Sequence, residues 1–259
     1  MRTVKLGRKA RKFNPNIPHM RSLRMGMVLS PPPPTAGWSK ALALPSDLGV
    51  MLNDTLGCCT CAGIYHARQV WSANANPPVD TEPDTNVLQV YENACGYKRG
   101  DSSTDQGAVE QDVLTYWLNK GVPVGSSVDK LLAFVEEDPN HIDGVKWSIC
   151  DCGVVYIGFQ LPKSFLEALD SGNVPDVWDV VPGDTLTDEG HCVILMDYDD
   201  TGFILISWGK IYTMTWAFFK LAVDECYPLA DYEWIRTIGT SPGNLTVAQL
   251  ENAMQGLKE

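Results

Sequence analysis

Residues 51–62 read MLNDTLGCCTCA. Asn53, Asp54 and Gly57 punctuate a turn. The run that follows, CTCAGIYHARQVWSANAN from 59 to 76, sets apolar or small side chains at Ala62, Tyr65, Val70 and Trp71, a helical stripe. Cys59 thus stands where a polar loop becomes a helix, and the helix dipole there favours a thiolate. Its chemistry could be packing, a metal site, a disulfide or a nucleophile.

Working outward, TNVLQVYENAC (85–95) and GAVEQDVLTYWLNKGV (107–122) read as further helices. In the second, Val109, Val113, Tyr116 and Trp117 share a face, and Gly121 supplies the stop. The period then changes. GVVYIGFQL (153–161) reads as a strand, and PKSFLEALDSG (162–172) as a short helix with Ser164 at its N-cap. CVILMDY (192–198) and FILISWG (203–209) form a hairpin across DDTG, WGKIYTMTWAFF runs from strand into helix, and YEWIRTI (232–238) reads as another strand. LTVAQLENAMQGL (245–257) closes as a helix with a Thr246–Gln249 capping box. Helices first and strands after argue an α+β chain with a cleft between halves. The expected boundaries are a basic, proline-rich arm at 1–40, a helical half with Cys59 at 41–135, and a β-rich half with a C-terminal helix at 136–259.

With 259 residues, 44% hydrophobic content and eight tryptophans, the chain can bury a sizeable core. Charge is divided unevenly: residues 1–40 carry nine basic side chains and no acidic one, which leaves 11 basic and 32 acidic residues beyond them. So acidic a body repels nucleic acid, which is expected only through the arm. The arm is expected to dock on protein, across its own body or against neighbouring protein subunits. Residues 31–36, within PPPPTAG, read as an extended, semi-rigid link. EEDPNHIDG (136–144) and TEPDTN (81–86) read as solvated loops. No apolar stretch approaches the roughly 20 residues that span a bilayer, so no membrane partner is expected. The basic start lacks the apolar segment of a signal peptide, so cytoplasmic synthesis is the expectation, with thiols kept reduced. Most of the eight cysteines then read as small buried hydrophobes. CCTC and CDC offer a zinc alternative, but the expectation is no metal and no cofactor; phosphate-loop and HExxH motifs are absent.

A nucleophilic cysteine needs a base. His19 and His141 lie in polar segments, and His66, though on the face of Cys59, sits about 10 Å along the helix axis, too far for proton transfer. His191 opens a strand after Gly190, where a sheet can present an imidazole to a cleft.

These residues carry a resemblance. NDTLGCCTCA (53–62) followed by GHCVILMDYDDTGFILISWG (190–209) resembles the papain-like cysteine peptidase pattern: a Gln six residues before the nucleophile, a Gly-His strand start, and a later Asn-Ser-Trp-Gly. DQGAVEQDVLTYWLNKGV and VVYIGFQLPKSFLEAL resemble its central segments, so the similarity spans roughly 48–220. The resemblance implies a helical half followed by an antiparallel β half, with the site in the cleft. It implies Cys59 as nucleophile, His191 as general base, Asn53 as oxyanion donor, and Trp208 as a shield. Two positions depart: Asn53 is one methylene shorter than Gln, and Ile206 stands where the family has the Asn that orients the histidine. Asp197, Asp199, Asp200 and Ser207, or a backbone carbonyl or water, are the candidates to replace it.

Two functions follow. One is a papain-like thiol hydrolase cleaving a peptide or related amide bond in a protein or peptide substrate. The other is a catalytically degenerate papain-like domain, a structural or binding component of a larger assembly such as a virion, anchored by its arm. The intact Cys59, His191 and Asn53 favour the first; the arm and Ile206 favour the second.

Overall fold

The computed structural model describes residues 4–27, 29–42, 48–75, 78–239 and 245–258. Arg2 of the arm, and Pro45 and Asp47 of the loop before the cysteines, lie outside the described residues. The helical part comprises α1 (Met20–Leu23), α2 (Cys59–Ala75), α3 (Asp84–Cys95) and α4 (Glu110–Asn119), followed by a small hairpin of β1 (Val122–Val124) and β2 (Ser127–Asp129). Next come β3 (Ala133–Phe134), α5 (Ile142–Cys152), β4 (Val155–Pro162), α6 (Lys163–Asp170), β5 (Val177–Trp178), β6 (Leu186–Tyr198), β7 (Gly202–Ser207) and β8 (Lys210–Thr215). The chain closes with α7 (Trp216–Ala222), β9 (Val223–Ala230), α8 (Tyr232–Ile238) and α9 (Val247–Ala253). Seven strands form one sheet in the order β3-β9-β4-β6-β7-β8-β5, antiparallel except where β5 meets β8.

Strand alternation divides the core between the two sheet faces. Tyr156, Cys192, Ile194, Met196 and Ile206 face α2, while Val155, Ile157, Phe159, Val193 and Leu195 pack on the other side with Phe165, Trp178 and Phe218. Helix α2 is buried nearly all round rather than along one stripe, which is the pattern of a helix lodged between layers. Gly63 makes this fit: a Cβ there would lie 2.8 Å from the Tyr156 ring. The ring reaches past it, and Tyr156 donates a 2.7 Å hydrogen bond to the Thr60 carbonyl, tying the first turn of α2 to β4.

Several expectations need correcting. YEWIRTI is the helix α8, not a strand: Asp231 caps it by accepting from the Trp234 amide at 2.9 Å, and Gly239 ends it at φ 77°. Buried Trp234 anchors it edge-on to Trp38, so caps and packing override β propensity. Ser164 does not cap α6; Pro162 holds that position and the Ser164 hydroxyl donates to Asp184. EEDPNHIDG is no solvated loop throughout, because Glu136 and Glu137 are buried and its last residues open α5. Arg24 of the arm pairs with Glu137 at 2.8 Å and Asp151 at 3.3 Å, and Arg11 pairs with Glu136. No helix among the described residues is long and apolar enough to cross a membrane.

Candidate active site

Three neighbouring thiols diverge at the start of α2. Cys58 donates to the Met51 carbonyl at 3.4 Å, and Cys61 lies 3.7 Å from the Cys95 sulfur. Cys59 instead turns its sulfur toward the backbone N–H groups of Cys192 on β6 and of Gly7 in the arm. Cys192 immediately follows His191 on β6, so the backbone of the strand that carries the candidate base runs past the candidate nucleophile, while the His191 ring itself packs against Phe159, Trp178 and Trp208. All eight cysteines are free. Among the described residues no cluster of His, Cys, Asp and Glu could hold a metal ion.

His191 is buried, and its Nε2 lies 2.8 Å from the Ser207 hydroxyl. Alternation along β7 explains the partner: Ile206 points to the α2 face, and Ser207 to the face that His191 occupies. Of the four candidates, Ser207 is therefore the one that meets His191. The other candidates are elsewhere. Asp197 lies about 20 Å further along β6 and accepts hydrogen bonds from Thr35, Ala36, Gly37 and Ser39 of the proline-rich link. Asp199 binds the Thr201 and Gly202 amides of the hairpin turn, and the Asp200 carbonyl receives the Trp216 indole N–H.

Trp208 lies flat on the imidazole, ring centroids 4.4 Å apart and 11° from parallel. To do so it occupies φ 47° in the two-residue turn between Ser207 and Lys210, a conformation that costs a non-glycine residue roughly 1–2 kcal/mol. Met51 and Leu52, just before Asn53, also have positive φ, 55° and 62°. Strained backbone thus flanks the cysteine loop and the histidine cover alike. Asn53 is buried, and one N–H of its amide is bound by the Leu56 carbonyl at 3.0 Å.

The imidazole's other nitrogen, Nδ1, is buried with no hydrogen-bond partner. Ser207→Ala would remove the bond that sets the ring's rotation, worth about 0.5–1.5 kcal/mol. The expected result is a kcat about tenfold lower at nearly unchanged KM, restored by Ser207→Thr, in steady-state peptide hydrolysis. A purely structural role for Ser207 would instead lower the melting temperature and leave kcat per folded molecule intact.

The arm closes this cleft. Lys5 N–H donates to the Asn53 carbonyl (2.8 Å), Arg8 N–H to Gly190 (3.2 Å), Lys9 N–H to Ala108 (2.8 Å), and Ala108 N–H to Gly7 (2.8 Å). Three glycines make room: a Cβ on Gly7 would fall inside the Gly57 carbonyl, 2.7 Å from the Gly57 Cα, and a Cβ on Gly107 would overlap the Gly7 carbonyl. Burial pushes the Cys59 thiol up to about 12, while the N–H groups of Cys192, Gly7 and Thr60 pull the other way. Burial, with a smaller contribution from His66, pushes the His191 imidazole down to about 3. Under the arm both groups are therefore neutral.

Sequence reading did not find the second feature of the cleft. Arg8 enters a buried pocket and binds Glu225 and Asp224, with Glu110 4.0 Å from its Nε. Among nine arm cations nothing singled out Arg8, although Glu225 inside the apolar run VDECYPLA was a signal.

The sequence matches no protein-family model and no curated protein. The structure does match. It aligns with xylellain, a cysteine protease from Xylella fastidiosa, at TM-score 0.64 and 15% identity, over 89% of this chain and 97% of that one. The fold is papain-like. Two more papain-like neighbours are the cysteine protease CMS1MS2 of Carica candamarcensis, solved with E-64 (TM-score 0.54, 11% identity, 77% of this chain and 99% of that one), and digestive procathepsin L 3 of Tenebrio molitor larval midgut (0.53, 12%, 83% and 76%). The papain-like fold accounts for the order of elements, helices first and the mostly antiparallel sheet after, with Cys59 at the start of α2 and His191 on β6.

Proposed function

We propose that the chain is a thiol hydrolase of peptide or related amide bonds, with Cys59 as nucleophile and His191 as general base, and that its N-terminal segment keeps it latent. The observation that supports this most is the combined setting of His191: Nε2 fixed by Ser207, one ring face covered by Trp208, and Nδ1 left without a partner beside the strand residue that faces the Cys59 sulfur. In the reaction, Nδ1 takes the thiol proton as sulfur attacks the carbonyl carbon. The resulting oxyanion is held by the Cys59 backbone N–H, one of the unpaired amides at the start of α2, and by the second N–H of Asn53. Collapse expels the amine, which leaves with the proton from His191; water then releases the acyl group.

The arm as seated offers sulfur no electrophile. Gly7 presents its N–H to Cys59 and turns its carbonyl to the Ala108 amide. One structural neighbour is itself a procathepsin, which supports reading the segment as a guard rather than as a substrate. The test is hydrolysis of a peptide library by the full chain after its arm is displaced, with Cys59→Ala as the control. New termini that depend on Cys59 support the reading. Cleavage that persists in Cys59→Ala, or no cleavage by a protein whose Cys59 reacts freely with a thiol probe, sinks it and leaves the degenerate structural domain.

A further inference from the structure

We propose that the groove between α5 and the far end of β6, which holds the chain's own residues 30–36, is a recognition surface for polyproline-II peptide, and that its partner in trans is a protein carrying an extended proline-rich segment. The proposal does not rest on the hydrolase reading, because the groove lies at the end of β6 remote from His191, about 20 Å away.

Residues 30–36 read SPPPPTA. Ser30, Pro31, Pro32 and Pro33 each precede a proline, which disfavours helix, and every proline fixes its own φ near −65°, so the stretch runs extended with about three residues per turn. It carries no N–H from Pro31 to Pro34. Carbonyls are therefore all that its backbone there offers to a partner. With a period of three, the Ser30 and Pro33 carbonyls fall on one side of the segment, about 9 Å apart. Both are bound. The Trp147 indole N–H of α5 donates to the Ser30 carbonyl at 3.0 Å, and the Tyr198 hydroxyl at the end of β6 donates to the Pro33 carbonyl at 2.8 Å. One period further on, Ala36 again has an N–H, and there the body turns from donor to acceptor: the Asp197 carboxylate receives the Ala36 and Gly37 amides at 2.9 and 3.0 Å. Donor, donor, acceptor complements carbonyl, carbonyl, N–H, and so fixes the direction of the bound chain.

The body sets these groups. Tyr198 is buried, with Phe203 edge-on to its ring at 6.4 Å between centroids and the Lys146 ammonium over it at 5.2 Å. Its one hydroxyl proton goes to Pro33, so the Cys150 thiol, 3.4 Å away, acts as donor to the same oxygen. Burial opposes the Asp197 charge, but the Ser39 and Thr35 hydroxyls and the Gly37 N–H outweigh it and hold the carboxyl below its usual range. It is an acceptor at neutral pH. The link adds little of its own, since Pro31, Pro33 and Pro34 are exposed. A groove that binds carbonyls and leaves those proline rings in solvent accepts any segment of the same geometry, and aromatic donors are a recurrent means of holding this stiff, low-entropy backbone.

The test uses the full chain in which Pro31→Gly, Pro32→Ser, Pro33→Gly and Pro34→Ser turn the link into a flexible tether and free the groove. Fluoresceinyl-Leu-Ser-Pro-Pro-Pro-Pro-Thr-Ala-Gly-amide is added and its anisotropy followed. It is expected to bind about tenfold more tightly than the same peptide with Gly-Ser-Gly-Ser in place of its prolines, because the stiff segment has less freedom to lose. Trp147→Phe and Tyr198→Phe, which keep an aromatic ring and lose the donor, are each expected to weaken binding about fivefold. If the quadruply substituted chain does not fold, Pro31→Gly with Pro34→Gly replaces it. Two peptides bound within about twofold of each other, an affinity untouched by both phenylalanine variants, or no binding at millimolar peptide overturns the groove and leaves a link that only tethers the arm. Dimers of the unaltered chain that form with rising concentration and vanish with the flexible link overturn the partner protein as occupant and assign the groove to the link of a second copy.

Discussion

Gly7→Val is expected to raise the rate at which iodoacetamide modifies Cys59 by about a hundredfold. The backbone at Gly7 passes against Gly57 and Gly107 with no space for a Cβ, so a branched side chain cannot be accommodated without withdrawing the arm. Withdrawal breaks the four main-chain hydrogen bonds that Lys5, Gly7, Arg8 and Lys9 make with the cleft. At about 0.5–1.5 kcal/mol each, the loss of some 3 kcal/mol from the closed state corresponds to about two decades in the population of open molecules. Mass spectrometry of the modified peptide would follow the rate, and a melting curve would report on the fold. An unchanged rate would mean that the arm is not what shields the thiol.

His191→Ala, introduced into that opened protein, is expected to lower peptide hydrolysis by about a thousandfold, within the range for loss of a general base. The pH dependence of alkylation separates this role from packing. In the closed protein, with the thiol pushed up to about 12, the rate should keep climbing with pH and show no plateau near neutrality. Displacing the arm admits water to both groups, so the charged thiolate–imidazolium pair becomes accessible and the rate should level off well below pH 8. Removing the imidazole should return the midpoint to about 8.5, that of an ordinary thiol. A midpoint that ignores His191 would mean the ring does not touch the chemistry.

Much of this arrangement was legible in the sequence because it is local. The loop-to-helix break at Cys59 and the Ser-Trp-Gly turn are each set by a few adjacent residues, whereas β6 begins at Leu186, so Gly190 and His191 lie within the strand and not at its start. Ser207 could be named only among four candidates, since which of them meets His191 depends on strand alternation and register; the hairpin sends Asp197, Asp199 and Asp200 to the far end. Helix α8 was misread because YEWIRTI has strand composition, and its helical state comes from Asp231 and from Trp234 packing on a residue nearly 200 positions away, Trp38. The arm was expected to dock on protein, and the described residues lie across the molecule's own cleft. Where it docks was beyond reading, because Arg8 differs from eight other cations only in the carboxylates that the fold brings to it.

The two halves are not tied in sequence order. Strand β3 leaves the helical part to pair with β9, the chain's last strand, while Leu250, Met254 and Leu257 at the C-terminus join the core around α2, and the Leu257 carbonyl receives the Asn119 amide. The arm adds a third strap, with Ile17 and Met20 in that same core and Arg24 clasping Glu137. Like hands with interlaced fingers, the halves stay joined when any one connection is cut. A nick in a single exposed loop therefore leaves the pieces associated, so the fold is protected from dismantling by one stray cut.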